Sequence, residues 1–212
     1  MNSLITEVKK LQKTEVAKKV NSRLKEFESY KNKDSVEWFS ELCFCILTAN
    51  SKARTAIAIQ NELGSEGFCS ICFDDLSACI RRNKHRFHNN KAKYIIEARG
   101  NTNIKEIVKD TVRKHSEAQA REWLVENIKG LGYKEASHFL RNVGYKNLAI
   151  LDRHILNLLK ENEYIKEKPK TLTKKNYLEI EEVFGKVAKE LNMPIAELDL
   201  YMWYMKAGDV LK

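Results

Sequence analysis

Proline and glycine are scarce in this chain, which has two prolines and eight glycines among 212 residues. Because both residues interrupt helices and form turns, their scarcity favours long regular segments over a loop-rich fold. The sequence also lacks a convincing alternation of apolar and polar residues with period two, which is typical of strands. No run approaches the ~20 consecutive apolar residues that a membrane-spanning helix needs. These absences favour an all-α protein that does not span a membrane.

Cysteine is absent beyond position 79, and the five cysteines stand at 43, 45, 69, 72 and 79. An odd number of cysteines in a chain that is expected to stay in the cytosol argues against a disulfide framework. Cys69 and Cys72 have the spacing of metal ligands, but no pair of His or Cys further along the chain completes such a site. Their apolar neighbours favour buried thiols instead.

The N-terminal segment lacks the apolar core of a signal peptide, because Glu7, Lys9 and Lys10 interrupt it. We therefore expect a cytoplasmic protein. The chain carries 38 Lys and Arg against 29 Asp and Glu, a formal net charge of +9 that is spread along the chain. Such a surplus favours binding to nucleic acid through release of condensed counterions, although a generic basic protein would have the same charge.

Apolar residues recur at helical spacing along most of the chain and predict roughly ten helices. The pattern from Leu4 to Phe27 predicts one long first helix. A nearly continuously apolar helix over 35–47 should follow, with Asp34 as its N-cap. Further helices are expected at about 52–63, 74–82, 89–98, 103–114, 117–128, 133–142, 153–162, 173–191 and 195–207. We expect residues 1–212 to form one unit of two intertwined helical lobes, whose boundary the sequence does not fix.

The most informative stretch is IKGLGYKEASHFLRNVG, residues 128–144. Gly130 and Gly132 allow positive φ and a turn between two helices that is too tight for side chains. Leu131 would anchor this turn in the core. Backbone N–H groups at the start of the second helix could then bind a DNA phosphate without reading its sequence. An ordinary αα-hairpin with a glycine C-cap is the alternative.

This stretch resembles the helix-hairpin-helix of the base-excision DNA glycosylases, in which an aspartate follows the hairpin. Here the loop over 144–151 lacks proline, unlike the family pattern, and leads to Asp152. Lys134 stands where bifunctional members carry a lysine nucleophile. The resemblance implies two helical lobes with a DNA-binding cleft between them and a hairpin over about 117–143. It implies no cofactor and no metal, because no cysteine after Cys79 could bind the iron–sulfur cluster of some relatives.

The chemistry of these enzymes explains why a lysine and an aspartate are needed. Cleavage of an N-glycosidic bond develops positive charge at C1′, which a carboxylate such as Asp152 would stabilise. The neutral amine of Lys134 would attack C1′ and form a Schiff base, which permits β-elimination and strand nicking. As alternatives, Lys134 could be a solvated helix lysine, and Asp152 could only cap a helix that begins at Arg153.

A second resemblance, over about residues 36–212, is to the archaeal-type 8-oxoguanine DNA glycosylases. The helix end at Asn50 and Ser51 is similar to one that places polar side chains beside the lesion strand. That branch ends on a lysine whose terminal carboxylate helps recognise the oxidised guanine, and Lys212 matches it. Its flipped base is sandwiched by aromatic rings, which Trp203 and Phe87 match. Trp203 could equally belong to the core.

Other polar residues near these positions have open interpretations. Asp199 could point into the cleft, or it could be a first-turn carboxylate that the helix dipole favours. The basic cluster of Lys84, Arg86, Lys91 and Lys93 could follow phosphates, although a solvated helix face is the expected role. The five histidines form no metal-ligand or triad pattern, and we interpret His138 and His154 as structural.

The resemblance therefore implies a bifunctional DNA glycosylase and abasic-site lyase, and we expect a monomer because one active site needs only one chain. It would excise 8-oxoguanine from double-stranded DNA and act on the nucleoid of a prokaryote. A glycosylase for an oxidised pyrimidine is one alternative, which the missing cluster cysteines and Lys212 disfavour. A non-catalytic DNA-binding hairpin is the other, and the joint presence of Lys134 and Asp152 disfavours it.

Overall fold

The computed structural model describes residues 3–212, and every regular element in this part of the chain is helical. The helices are α1 (Ser3–Leu11), α2 (Glu15–Ser29), α3 (Ser35–Thr48), α4 (Ala53–Ser70), α5 (Phe73–Arg82), α6 (His88–Ala98), α7 (Ile104–Lys114), α8 (Glu117–Asn127), α9 (Tyr133–Asn142), α10 (Arg153–Glu161), α11 (Lys174–Glu190) and α12 (Ile195–Ala207). Short 3₁₀ helices follow α2 and α6. The all-α prediction is confirmed, and no helix within residues 3–212 has the length and apolarity needed to cross a membrane.

The prediction of a single long first helix is wrong, because the chain breaks between α1 and α2. The Thr14 hydroxyl donates to the Leu11 carbonyl at 2.8 Å and accepts from the Val16 N–H at 3.2 Å. One threonine side chain thus pairs with the backbone of both helix ends, which is how such residues compete with a continuous helix. The apolar pattern continues across the break because both helices bury it.

The helix predicted over 52–63 continues beyond its expected end as α4. Gly64 adopts a positive φ of 64° inside this helix, so the chain turns sharply and then resumes helical geometry as far as Ser70. Gly64 therefore kinks this helix and does not end it. The other predicted helices begin and end within one residue of the observed ones. Asp34 caps α3 as predicted, since its carboxylate accepts from the Glu37 N–H at 2.9 Å.

The chain divides into two compact units, one of residues up to Glu28 together with Gly144–Lys212, and one of Ser29–Val143. In the unit of residues 29–143, α3 is buried along most of its length and packs against α4, α6, α7 and α9. In the other unit, α12 packs against α1, α10 and α11.

A buried polar contact joins α3 to α9. The Asn142 amide donates to the Glu41 carboxylate at 2.6 Å, and neither residue has any exposed surface. The Tyr30 hydroxyl and the Gln60 amide also donate to Glu41. Because a buried carboxylate is costly unless hydrogen bonds satisfy it, this network favours one alignment of α9 on α3.

The prediction that the cysteines are buried thiols is confirmed only in part. Cys43, Cys45 and Cys79 are buried, Cys69 is half-buried, and Cys72 is exposed with its thiol directed at Asp75. Burial raises the pKa of the Cys43 thiol well above its ordinary value. Within residues 3–212, no three His, Cys, Asp or Glu side chains are grouped so that they could hold a metal ion.

Candidate active site

The hairpin between α8 and α9 depends on the absence of a side chain at Gly130. This residue has φ of 90°, and a Cβ atom built there would lie 2.5 Å from Cδ2 of Tyr94 on α6. The backbone therefore lies against the tyrosine ring in a conformation that other residues rarely adopt. Leu131 is buried as expected, and its N–H closes the turn on the Ile128 carbonyl at 3.2 Å.

The start of α9 has no side-chain cap, in contrast to the start of α8, the other helix of the hairpin. Ser116 caps α8 through its hydroxyl, whereas the N-cap of α9 is the exposed Gly132. The first N–H groups of a helix have no partner within the helix and carry its positive dipole end. This end of α9 is therefore suited to an anion such as a phosphate.

Arg121 of α8 braces the start of α9 from within the unit. Its guanidinium lies 5.1 Å from the centre of the Tyr133 ring, and it donates to the Ser137 hydroxyl at 3.2 Å. The Tyr133 hydroxyl in turn donates to the Glu122 carboxylate. Because Arg121 is almost wholly buried, these contacts hold the first turn of α9 firmly against α8.

Lys134 lies in that first turn, with 28% of its side chain exposed. Its Nζ is 3.1 Å from the Glu135 carboxylate, whose side chain is 13% exposed. A lysine near the positive end of a helix is unusual, because the dipole disfavours a cation there. In this structure the Lys134 ammonium is therefore held in an ion pair with the residue that follows it.

The last four backbone carbonyls of α3, which a helix leaves without internal partners, all accept hydrogen bonds. The donors are the Thr48 hydroxyl to Cys45 (2.8 Å), Lys91 Nζ to Ile46 (2.7 Å), His85 Nε2 to Leu47 (2.9 Å) and the Ser51 N–H to Thr48 (3.1 Å). Two of these donors come from side chains elsewhere in the chain. The end of α3 is thereby tied to α6 and to the segment before it.

The burial of Lys91 shows that the interpretation of the basic cluster is wrong for this residue. Its residue is only 5% exposed, so it neither forms a solvated face nor follows phosphates, whereas Lys84, Arg86 and Lys93 are exposed. Burial lowers the pKa of Lys91 to about 8, against a smaller opposite effect of Glu135. The positive charge of Lys134 lowers it further.

His85 links the end of α3 to the predicted pocket residue Phe87. It is buried, and its Nδ1 accepts from the Phe87 N–H at 3.2 Å while Nε2 donates to α3. Burial lowers the pKa of His85, which fits a neutral ring that uses both nitrogens. Phe87 itself is 41% exposed, with the Arg86 guanidinium 5.2 Å from its ring centre. Asn50 is exposed with φ of 59°, and Ser51 is half-buried.

In the unit that contains Gly144–Lys212, Asp152 caps α10. Its carboxylate accepts from the Ile155 N–H at 2.8 Å, so the capping role considered from the sequence is present. The preceding loop is held by α11, where the Tyr177 hydroxyl donates to the Ala149 carbonyl at 2.6 Å. The Glu181 carboxylate accepts from the Ala149 N–H at 2.8 Å. The sequence did not indicate a role for either α11 residue, because both side chains pair with backbone groups of Ala149, which carry no sequence pattern.

The remaining predicted residues of this unit lie on or after α12. Trp203 is half-buried, and its ring is 5.2 Å from the His154 ring, centre to centre. His154 follows Asp152 by two positions, so the structure brings Trp203 to the same end of α10 as the aspartate. Asp199 is 3% exposed and is not a first-turn carboxylate, because Glu197 holds that position. Lys212 is half-buried beyond the end of α12.

A helical chain in which a glycine hairpin presents a lysine, and in which an aspartate caps a later helix, has the features of a helix-hairpin-helix DNA glycosylase. The sequence matches the 8-oxoguanine DNA glycosylase (Ogg-HhH) model over residues 20–193. The chain therefore belongs to this family, as its hairpin predicted.

Similar proteins match along nearly the whole chain. The 8-oxoguanine DNA glycosylase/AP lyase of Methanocaldococcus jannaschii is 50% identical over 209 residues, which are 99% of each chain. The crystal structure of the M. jannaschii 8-oxoguanine glycosylase/lyase with a 15mer DNA containing 8-oxoguanine is similar, with a TM-score of 0.95 and 99% of each chain covered. The 8-oxoguanine DNA glycosylase of Thermotoga maritima gives a TM-score of 0.91 at 39% identity, covering 99% of this chain and 98% of that one.

Replacing Gly130 with alanine is expected to lower the free energy of unfolding by more than about 2 kcal/mol. The Cβ would collide with Tyr94, and the positive φ would add backbone strain. Urea denaturation measures this loss. Gly100→Ala is the matched control, because a Cβ there would have no atom within 4 Å. Equal stability of the two variants would contradict the close approach at the hairpin.

Proposed function

We propose that this chain excises 8-oxoguanine from double-stranded DNA and then nicks the strand as an abasic-site lyase. The observation that carries the proposal is Lys134 in the first turn of the hairpin helix, in a chain that is 50% identical to a protein named as an 8-oxoguanine DNA glycosylase/AP lyase. A glycosylase without lyase activity would not need an amine at this position. One chain carries one set of these residues, so a monomer suffices.

Lys134 is the nucleophile in the proposed reaction. Its neutral Nζ attacks C1′ of the damaged nucleotide, the C1′–N9 bond breaks, and the base leaves with the bonding electrons. The nitrogen then loses one proton, and the C1′–O4′ bond breaks as O4′ takes up a proton, which opens the sugar and leaves a protonated imine at C1′. This imine acidifies the C2′ protons, and removal of one of them expels the 3′ phosphate by β-elimination. The ion pair with Glu135 must open first.

Asp152 stabilises the positive charge that develops at C1′ as the base departs. A carboxylate is effective in this role only if it is held in place before the reaction begins. The hydrogen bond to the Ile155 N–H and the support of the preceding loop by Tyr177 provide that rigidity. Capping and charge stabilisation use the same carboxylate and are compatible.

The damaged base and its strand contact the other predicted residues. Trp203 and Phe87 stack on the flipped base, while Asp199, Lys212, Asn50 and Ser51 supply polar contacts to the base or its strand. 8-Oxoguanine has an N–H donor at N7 where guanine has an acceptor, so a carboxylate or carbonyl oxygen distinguishes the two. The uncapped start of α9 at Gly130 and Gly132 binds a backbone phosphate and supplies no sequence preference.

Lys134→Gln is expected to abolish the covalent adduct that borohydride traps on a duplex with one 8-oxoguanine. Glutamine retains most of the size and polarity of the side chain but has no nucleophilic amine. Gel electrophoresis of the trapped complex measures this loss. Lys114→Gln, at an exposed lysine of α7, is the control that should trap as the unaltered protein does. Base release without any adduct from the unaltered protein would refute the lyase mechanism.

Asp152→Asn is expected to lower the rate of base excision by about 10²–10³-fold, which is typical when an electrostatic stabiliser is lost. Asparagine caps helices as well as aspartate does, so the free energy of unfolding should change by less than about 1 kcal/mol. Single-turnover excision and thermal unfolding measure the two effects. Asp34→Asn is the matched control, because Asp34 caps α3 with the same geometry. If both variants keep the excision rate, Asp152 is only a cap.

A further inference from the structure

The segment after α12, residues 208–212, is anchored to its own unit. Gly208 ends α12 with φ of 71°, and its N–H donates to the Tyr204 carbonyl at 2.8 Å. Val210 is only 5% exposed, and its N–H donates to the Asp209 carboxylate at 2.9 Å. Because chain ends are usually poorly ordered unless something holds them, the burial of Val210 indicates that this segment has a defined place.

Arg23 of α2 contacts this segment from the opposite end of the sequence. Its Nη2 donates to the Val210 carbonyl at 3.3 Å, and its Nη1 lies 2.6 Å from the Glu26 carboxylate on the same helix. A guanidinium holds its nitrogens in one rigid plane, so the ion pair with Glu26 also orients the nitrogen that donates to Val210. Arg23 thus joins α2 to a backbone carbonyl that lies beyond the end of α12.

The last turns of α12 are held separately by α10. The Trp203 ring lies against the His154 ring, and Lys206 Nζ is 2.7 Å from the Glu161 carboxylate. These contacts fix the helix but not the residues after it, which the contact with Arg23 reaches. Since two residues span no more than about 7 Å, a fixed Val210 carbonyl restricts where Lys212 can lie.

We propose that Arg23 is a positioning residue for base recognition, which holds residues 208–212 so that Lys212 meets the damaged base. The inference rests on the proposed contact of Lys212 with that base. A group recognises its ligand best when it is held in place before the ligand binds, and a misplacement of about 1 Å is enough to slow a reaction severalfold or more. Arg23 acts through the Val210 backbone and not by contact with the base.

The alternative role of Arg23 is to stabilise α2 through its ion pair with Glu26. Pairs of this kind, three residues apart on a helix surface, contribute little to stability. Lysine at position 23 keeps a positive charge beside Glu26, but its single nitrogen cannot reproduce the two-nitrogen geometry that reaches Glu26 and Val210 together. Arg23→Lys therefore separates the two roles.

A duplex with a preformed abasic site distinguishes the positioning of Lys212 from general damage to the unit. Such a site has no base, so Schiff-base formation there does not need Lys212 to contact one. The amine adds to the C1′ aldehyde, water leaves, and hydride from cyanoborohydride reduces the imine to a stable amine. A variant that displaces only residues 208–212 should slow excision of 8-oxoguanine and leave trapping at the abasic site unchanged.

The test compares single-turnover excision on an 8-oxoguanine duplex with trapping on the abasic duplex. The proteins are the unaltered chain, Arg23→Lys, Arg23→Met, deletion of Lys212, and that deletion combined with Arg23→Lys. Arg113→Met is the surface control, because Arg113 makes the same kind of ion pair with Asp110, three residues away on α7. Thermal unfolding reports whether each variant is folded.

Both variants of Arg23 are expected to slow excision about tenfold and to leave trapping at the abasic site unchanged. The combined variant should excise no more slowly than deletion of Lys212 alone, because a residue that acts only through Lys212 has no effect once Lys212 is gone. Arg113→Met should change neither reaction.

Equal slowing of both reactions would overturn the proposal, as would slowing that multiplies with the deletion of Lys212. An unchanged excision rate in Arg23→Lys would overturn it too, and this variant decides if Arg23→Met does not fold. If deletion of Lys212 leaves excision unchanged, Lys212 is not a base contact and the proposal fails, although the excision activity stands. No base release by the unaltered protein would refute the proposed function itself.

Discussion

The contact between the Gly130 backbone and the Tyr94 ring is the constraint on which the hairpin site depends. Only a residue without Cβ can bring the chain this close to the ring while holding φ at 90°. This contact fixes the turn on α6, and the turn fixes where α9 begins. The position of Lys134, in the first turn of α9, follows. Arg121 and the Asn142–Glu41 contact then hold α9 in that alignment.

Several side chains that hydrogen-bond to unpaired backbone groups at helix ends also hold predicted site residues in place. Lys91 and His85 satisfy the last carbonyls of α3, and His85 holds the backbone of Phe87 at the same time. Asp152 caps α10 in the other unit, where Tyr177 holds the loop before it. A side chain with a structural partner is held still, and a rigid charge stabilises a transition state without reorganisation. In the proposed reaction, the hydrogen bond that caps α10 therefore also holds the Asp152 carboxylate in place.

The sequence predicted the helices and the hairpin because these depend on local patterns. Apolar periodicity located most helices, and the spacing of Gly130, Gly132 and Lys134 indicated the family. Periodicity did not locate the break at Thr14, because both flanking helices bury the same kind of residue. Burial of Lys91 and the support of the Asp152 loop by α11 also went unpredicted, since both depend on backbone groups brought close only by folding. A lysine that binds a distant carbonyl has the same local sequence as a solvated one.

Mapping the adduct that borohydride traps identifies the amine that attacks C1′. After borohydride trapping on an 8-oxoguanine duplex, the protein is digested with nuclease and trypsin, and its peptides are analysed by mass spectrometry. Modification of Lys134 blocks cleavage there, so we predict one peptide spanning residues 130–141 that carries the sugar remnant. A modified peptide spanning residues 87–93 would identify Lys91 as the nucleophile and refute the assignment to Lys134, as would modification of any other lysine.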